Sequence, residues 1–396
     1  MTQAAQQAIS FEQLGAINDG ALLVVGGKII ALGPARAVED HLTESRTKFE
    51  VQLLNRSDCV IVPGFVDAHT HPLYSGNREA DFSARSRSER PPLGMLHTIK
   101  ETRRALNDPQ SFWKAVEARL HLMLLHGTTT AEVKTGYALH KEGEVALLDL
   151  IEAHKDRPNL PRLIATFLGA HGLPPEYRNQ DAFVDYLIAH LIPVARAHGA
   201  IYADAFCEPG FFTPEQTRRY LVAASRAGLR LRVHCDEMQF GCAAAMAVQL
   251  QVDAIDHANC IRTQDIGEIV RCGAVVVACP ATIAYLGLQE RAPVRALLES
   301  GGTVALASDF NPGTSPCFNL QTVAYFGRSL FGLSAAESLY AVTRAAAQSL
   351  HIDSGTLVQG GPADFVALQM DSPHEFGWSF GGNLARTVVR DGELVA

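Results

Sequence analysis

Residues 62–79 read "VPGFVDAHTHPLYSGNRE" and place His69 and His71 one residue apart at the end of an apolar run. In an extended strand alternate side chains share a face, so the two imidazoles point the same way. Converging imidazoles suit a metal ion, whereas a packed core penalises unpaired polar groups. Fifteen histidines in 396 residues give about 0.6 such pairs by chance. The pair gains weight only from its company.

That company lies at the ends of further apolar runs: "LGAH" ends in His171, "LRVHCDE" carries His234 and Glu237, "AIDHAN" carries His257, and "LASDFNPG" carries Asp309, Asn311 and Gly313. Taken singly, a histidine such as His171 or His257 reads as a hydrogen-bonded core residue. Glu237 alone reads as a helix cap and Asp309 as a turn former. Recurrence at successive run ends reverses that reading. His69, His71, His234 and Asp309 form a nitrogen-and-oxygen donor set for one Zn2+ or Fe2+ ion, with room for a water. Such an ion lowers the pKa of bound water towards neutrality. Asp309 can then serve as general base, and His257 can stabilise the oxyanion formed at a carbonyl. Glu237 can pass a proton to a leaving nitrogen. This is metal-assisted hydrolysis of a C–N bond. The fourth run, "IYADAFCEPG", has no lysine to become a metal-bridging carbamate, which favours a single ion. Lys134, after the second run, reads as a structural ion-pair residue, and Cys235 and Cys279 read as small core residues.

The elements that must position these residues follow from periodicity. Apolar runs at 61–66, 128–133, 163–168, 201–206, 229–233, 252–255, 274–278 and 303–307 alternate with helical stretches such as 181–199 and 213–228. In the latter Thr213 is the N-cap, Pro214 the first helical residue and Gly228 the stop. Eight such units in about 250 residues fit a (β/α)8 TIM-like barrel, whose active site lies at the C-terminal strand ends. No GxGxxG opens any helix, against a doubly wound nucleotide-binding sheet. The two chain ends are β-rich, with turn signals at Gly26-Gly27 and Asp391-Gly392. They are expected to form one small β-sandwich. The division is residues 1–62 and 358–396 for the sandwich and 63–357 for the barrel.

A hydrophobic content of 47%, 19% charged residues and a net charge of -8 describe an ordinary globular chain and exclude a sequence-independent nucleic-acid binder. The eight cysteines show no CxxC pair and read as reduced thiols. No uncharged apolar stretch approaches the roughly 18 residues of a membrane span, and the N-terminus has no signal-peptide pattern. A cytoplasmic location is expected.

At this point the chain resembles the amidohydrolase superfamily, and within it closely the imidazolonepropionases of histidine degradation. "PGFVDAHTH" with "NRE", "GTTTAEVKTGYAL", "TFLGAHGLPPEY", "FCEPGFFT", "HCDE", "DHAN" and "ALASDFNPGTSP" occur in the family's order along nearly the whole chain. The resemblance implies His69, His71, His234 and Asp309 as ligands of zinc or iron, with Glu237 and His257 catalytic. It implies that Arg78, Tyr137, His171, Asn311, Gly313 and Thr314 hold 4-imidazolone-5-propanoate, a small cyclic amide with a carboxylate. Ring opening would give N-formimidoyl-glutamate, and the chain would form a homodimer. The sequence departs from the family at residues 82–98, "FSARSRSERPPLGMLHT", where a longer loop with a substrate-holding tyrosine is usual. Arg85, Arg87 and Arg90 are candidates to replace that contact. The alternative is a related hydrolase or deaminase acting on another small cyclic amide or amidine.

Overall fold

A computed structural model describes residues 9–46 and 52–396. Eight parallel strands in sequence order form the central sheet. They are Phe65–Asp67, Thr128–Lys134, Arg162–Ala170, Tyr202–Cys207, Arg230–Cys235, Ala254–His257, Val275–Ala278 and Val304–Leu306. Helices separate them, as a parallel sheet with crossover connections requires. The ring closes above the short first and last strands. Thr70 and Phe310 form a parallel bridge, the His71 amide donates to the Phe310 carbonyl at 2.9 Å, and the Asp309 amide donates to the His69 carbonyl at 3.0 Å. The segments that carry the expected ligands therefore close the barrel themselves.

The run 61–66, read above as one strand, serves two sheets. Val60–Pro63 belongs to an antiparallel sheet with Phe365–Leu368, Ala385–Arg390 and Glu393–Leu394, while Phe65–Asp67 opens the barrel. Gly64 is the break. A Cβ there would lie 2.2 Å from Thr129 Oγ1, so only glycine lets the backbone pass from one sheet to the other. The hairpin Gly20–Val25 and Lys28–Pro34 turns through Gly26 and Gly27, both at positive φ. It joins the C-terminal segment through a bridge between Lys28 and Pro362. The two antiparallel sheets thus combine both chain ends, as expected of a small sandwich.

Local signals account for most boundaries. The helix Pro214–Arg226 begins with a Thr213–Gln216 capping box and is followed by Gly228 at φ +84°. The stretch 181–199 departs from simple helical periodicity. It runs as helix Gln180–Tyr186, a π-helical turn Leu187–Leu191 and helix Ile192–Ala195. Pro193 has no N–H and would crowd the carbonyl four residues back, and the widened turn accommodates it. All eight cysteines are unpaired. Among the described residues no helix is long and apolar enough to cross a membrane. Gly64→Ala is expected to destabilise the protein by about 1–3 kcal/mol through overpacking, read as a lower Tm; an unchanged Tm would refute the close-approach account.

Candidate active site

His69, His71, His234 and Asp309 meet at the C-terminal rim, all at most 3% exposed. His69 Nε2 and His71 Nε2 lie 3.2 Å apart. Asp309 Oδ1 is 3.5 Å from the first and 3.3 Å from the second. The ligand atoms of His69, His71 and His234 fall within 4.8 Å of one another. Ligand bonds of about 2.1 Å at tetrahedral angles set neighbouring donors about 3.4 Å apart, so these spacings fit a shared divalent cation. Protonation states agree. Burial drives His71 down to about 3, which keeps it a neutral donor. Burial alone would raise Asp309, but hydrogen bonds to His69 and His71 hold it well below the usual carboxylate range.

Beneath the donors the barrel holds charge where such barrels usually pack branched aliphatic side chains. Glu132, Lys134, Asp204, Arg232 and Asp256 are all fully buried. Lys134 Nζ donates to Glu132 and Asp204 at 2.8 Å each, and to Asp256 at 3.4 Å. Arg232 donates to Asp256 at 2.9 Å and to the Ala68 carbonyl at 2.8 Å. The carboxylates in turn face the histidines. Asp256 Oδ2 lies 2.8 Å from His69 Nδ1, and Asp204 Oδ2 lies 2.9 Å from His234 Nδ1. A carboxylate at Nδ1 puts the proton there and leaves Nε2 as the free donor. Burial opposes ionisation of Lys134, but the Asp204, Glu132 and Asp256 charges push its pKa up. Burial likewise opposes a charge on His234, and the Asp204 charge outweighs it, raising His234. The sequence reading of Lys134 as an ion-pair residue holds.

The other expected residues surround the donors unevenly. His257 Nε2 lies 3.8 Å from Glu237 Oε2, and its ring is 5.1 Å from that of His69. Burial lowers the His257 pKa, favouring the neutral ring. The His171 ring stacks on His71 at 5.4 Å and lies 5.0 Å from Tyr137. His171 Nδ1 donates to the Gly136 carbonyl at 3.0 Å, which leaves Nε2 free. Asn311 is committed to its own loop. Its amide donates to the Asp309 carbonyl at 2.6 Å and to Thr314 Oγ1 at 2.7 Å. Its oxygen accepts from the Gly313 and Thr314 amides at 2.8 Å each. Arg78 Nη1 lies 3.0 Å from where a Gly313 Cβ would stand, so a larger residue there would push the guanidinium back by a few tenths of an ångström.

Comparison with known proteins now bears on this geometry. Residues 77–396 match the amidohydrolase family. The chain is 35% identical over 392 residues to the imidazolonepropionase of Rubrobacter xylanophilus, covering 97% of this chain and 92% of that one. It is 33% identical over 391 residues to the imidazolonepropionase of a Shewanella species, covering 96% and 94%. The chain belongs to the amidohydrolase family. Among solved structures, E. coli guanine deaminase superposes with a TM-score of 0.70 at 19% identity, covering 99% of this chain and 96% of that one. Atrazine chlorohydrolase TrzN from Arthrobacter aurescens, complexed with zinc, gives 0.66 at 19% identity, covering 94% and 89%. This amidohydrolase is an imidazolonepropionase-like hydrolase acting on cyclic-amide C–N bonds.

Several residues of the amidohydrolase site escaped sequence reading. Asp204, Asp256, Glu132 and Arg232 orient or neutralise the ligands from below. Their signal was present as charges inside apolar runs, at period two from one another or from a ligand: Glu132 with Lys134, Arg232 with His234. Thr282 Oγ1 donates to Asp309 Oδ2 at 2.7 Å, from a segment that carried no motif. Glu208, 3% exposed, accepts from the Glu237, Met238 and Gln239 amides at 2.8, 3.2 and 2.8 Å and so fixes the loop that carries Glu237. Asp236, His257, Ala258 and Asp309 take positive φ at the rim, a conformation non-glycine residues hold only where surroundings enforce it.

Asp256→Asn in this amidohydrolase removes the charge that fixes the His69 tautomer. Divalent-metal affinity measured by equilibrium dialysis is expected to fall about 10- to 100-fold, and unchanged affinity would refute the assignment. Thr282→Val should lower turnover about tenfold through loss of one hydrogen bond to a charged group, with little change in Tm.

Proposed function

We propose that this chain hydrolyses 4-imidazolone-5-propanoate to N-formimidoyl-L-glutamate, the ring-opening step of histidine degradation. The observation that carries the proposal is the placement of Arg78 against Gly313, four residues beyond Asp309, at the mouth of a buried His69, His71, His234 and Asp309 donor set. A carboxylate-tailed ring fits that arrangement. Arg78 donates from Nε to Asp81 and over a long 3.5 Å from Nη1 to Thr98 Oγ1, which leaves Nη2 and the second Nη1 hydrogen to pair with the propanoate. Tyr137 and His171 flank the ring, and the 311–314 loop shapes the floor beside Asp309.

One zinc or iron(II) ion held by the four donors would polarise the substrate carbonyl and acidify water. The chain's own groups do the rest. Asp309 accepts the proton of the attacking water. Neutral His257 donates a hydrogen bond to the oxygen that gains charge as water adds to the ring carbonyl. The C–N bond beside that carbonyl then breaks, and Glu237 relays to the departing nitrogen the proton that Asp309 took from the water, so both carboxylates end as they began. The water oxygen ends in the new carboxylate. This reading takes residues 63–357 as the catalytic barrel and 1–62 with 358–396 as one supporting sandwich, in a cytoplasmic homodimer.

A second reading, hydrolysis or deamination of another small cyclic amide or amidine, is favoured by one observation. The altered segment contributes Leu93, Met95 and Leu96 to a cavity of about 230 Å3, lined further by Ile99, Leu173 and Phe211. An apolar substituent would suit it better than a second carboxylate.

Metal-loaded protein is expected to convert 4-imidazolone-5-propanoate to a product with the mass of N-formimidoyl-glutamate. His234→Ala and Asp309→Asn should each cut turnover at least 1000-fold, a loss of about 4 kcal/mol of transition-state stabilisation. Wild-type protein that binds metal without turning the substrate over would overturn the proposal in favour of the second reading. Ammonia as product would identify a deaminase.

A further inference from the structure

The altered segment does more than lose a tyrosine. Its first residues, 82–86, complete the helix Glu79–Ser86, and Arg78 at the N-cap, Asp81 and Arg85 recur at helical spacing and share a face. Asp81 is fully buried. It accepts from Arg78 Nε and from the amides of Leu93 and Gly94, at 2.7 and 3.1 Å for the two amides. Its oxygens are thereby occupied by Arg78 and the two amides, and it forms no ion pair with Arg85.

Arg85 reaches the same spot as Arg78. Its Nη2 donates to the Gly313 carbonyl at 3.0 Å, while Arg78 Nη1 lies 3.0 Å from where a Gly313 Cβ would stand. The Arg85 guanidinium carbon stands 5.3 Å from the centroid of the Tyr285 ring, and Tyr285 stacks on Phe82 at 5.2 Å. The Arg85 Nε is buried and has no hydrogen-bond partner. Among the described residues Arg85 forms no ion pair, in contrast to Arg87, which pairs with Glu89 at 2.9 Å out in solvent. Arg90 is exposed. Two guanidinium groups therefore converge on one glycine beside the ligand loop, with one carboxylate between them. A buried N–H left without an acceptor is costly unless one completes it, and on the half-buried Arg85 an anionic ligand would do so.

We infer that Arg85 is a second carboxylate-binding residue, which with Arg78 grips the acidic tail of the substrate from both sides of Gly313. This inference rests on the proposed function for the identity of that substrate, though not for the chemistry of the grip. Arg85 fits this role where Arg87, paired with Glu89, and exposed Arg90 do not. Because the tail is remote from the reacting carbonyl, its loss weakens binding more than chemistry.

The test compares Arg85→Gln with Arg87→Gln in the metal-loaded full chain. With 4-imidazolone-5-propanoate, Arg85→Gln should raise KM at least tenfold and change kcat less than threefold, and Arg87→Gln should match wild type. The methyl ester of the same substrate should be turned over equally by wild type and Arg85→Gln. Equal losses on acid and ester, or a lower Tm with a lower kcat, would show Arg85 to be only a latch for the 311–314 loop and overturn the inference. Glutarate binding followed by calorimetry separates the two layers. If wild type fails to turn over the imidazolone but binds glutarate at least tenfold more tightly than Arg85→Gln does, the carboxylate grip stands and the substrate falls. If wild type turns the imidazolone over and Arg85→Gln keeps the wild-type KM, the substrate stands and the grip falls.

Discussion

The site depends on Lys134, a fully buried ammonium shared among Glu132, Asp204 and Asp256. With Arg232 it lets three carboxylates sit in the centre of the barrel at an affordable desolvation cost. Two of them then turn outward to the histidines. Asp256 sets the tautomer of His69, and Asp204 does the same for His234. The barrel interior is thus an electrostatic foundation for the donors. Two bases against three carboxylates leave a net negative interior, which favours a cation above it. Removing any one partner would strand a buried charge, so the group stands or falls together.

Much of this was legible in the chain. The β/α rhythm, the strand ends that carry His171, His234, His257 and Asp309, and both glycine-marked hairpin turns follow from local patterning. The HxH pair acquired meaning from residues far away in sequence. What was not legible has a common physical cause. The break at Gly64 inside an apolar run depends on a collision with Thr129, and no local signal announces a neighbour 65 positions on. The Thr282 contact to Asp309 joins the helix Pro280–Leu286 to the loop after the last barrel strand, and nothing local pairs the two. The positive φ of His257 and Asp309 is imposed by packing and hydrogen bonds, and neither residue type demands it. The role of Asn311 was also masked, because a side chain that saturates its own loop and one that faces a ligand look alike in sequence.

The rim is also where local preferences are most often overruled. Four non-glycine residues there hold left-handed backbone, and the Glu237 loop hangs from the carboxylate of Glu208. Burial pushes Glu208 up to about 7, against the three amides that favour its ionised form. Such strained, tightly bonded loops are stiff, and stiffness holds the candidate donors and Glu237 in register.

The passage of residues 60–67 through two sheets has a consequence for how the molecule is made. Val62 pairs with Val366, so the strand leading directly into His69 and His71 waits for a partner about 300 residues later, a contact of high order that forms slowly. The barrel closes through Phe310, also late in the chain. One flank of the segment that carries His69 and His71 thus finds its partner early, at residues 128–131, and the other only near residues 310 and 366. The four candidate donors reach their final spacing only when those late segments have docked.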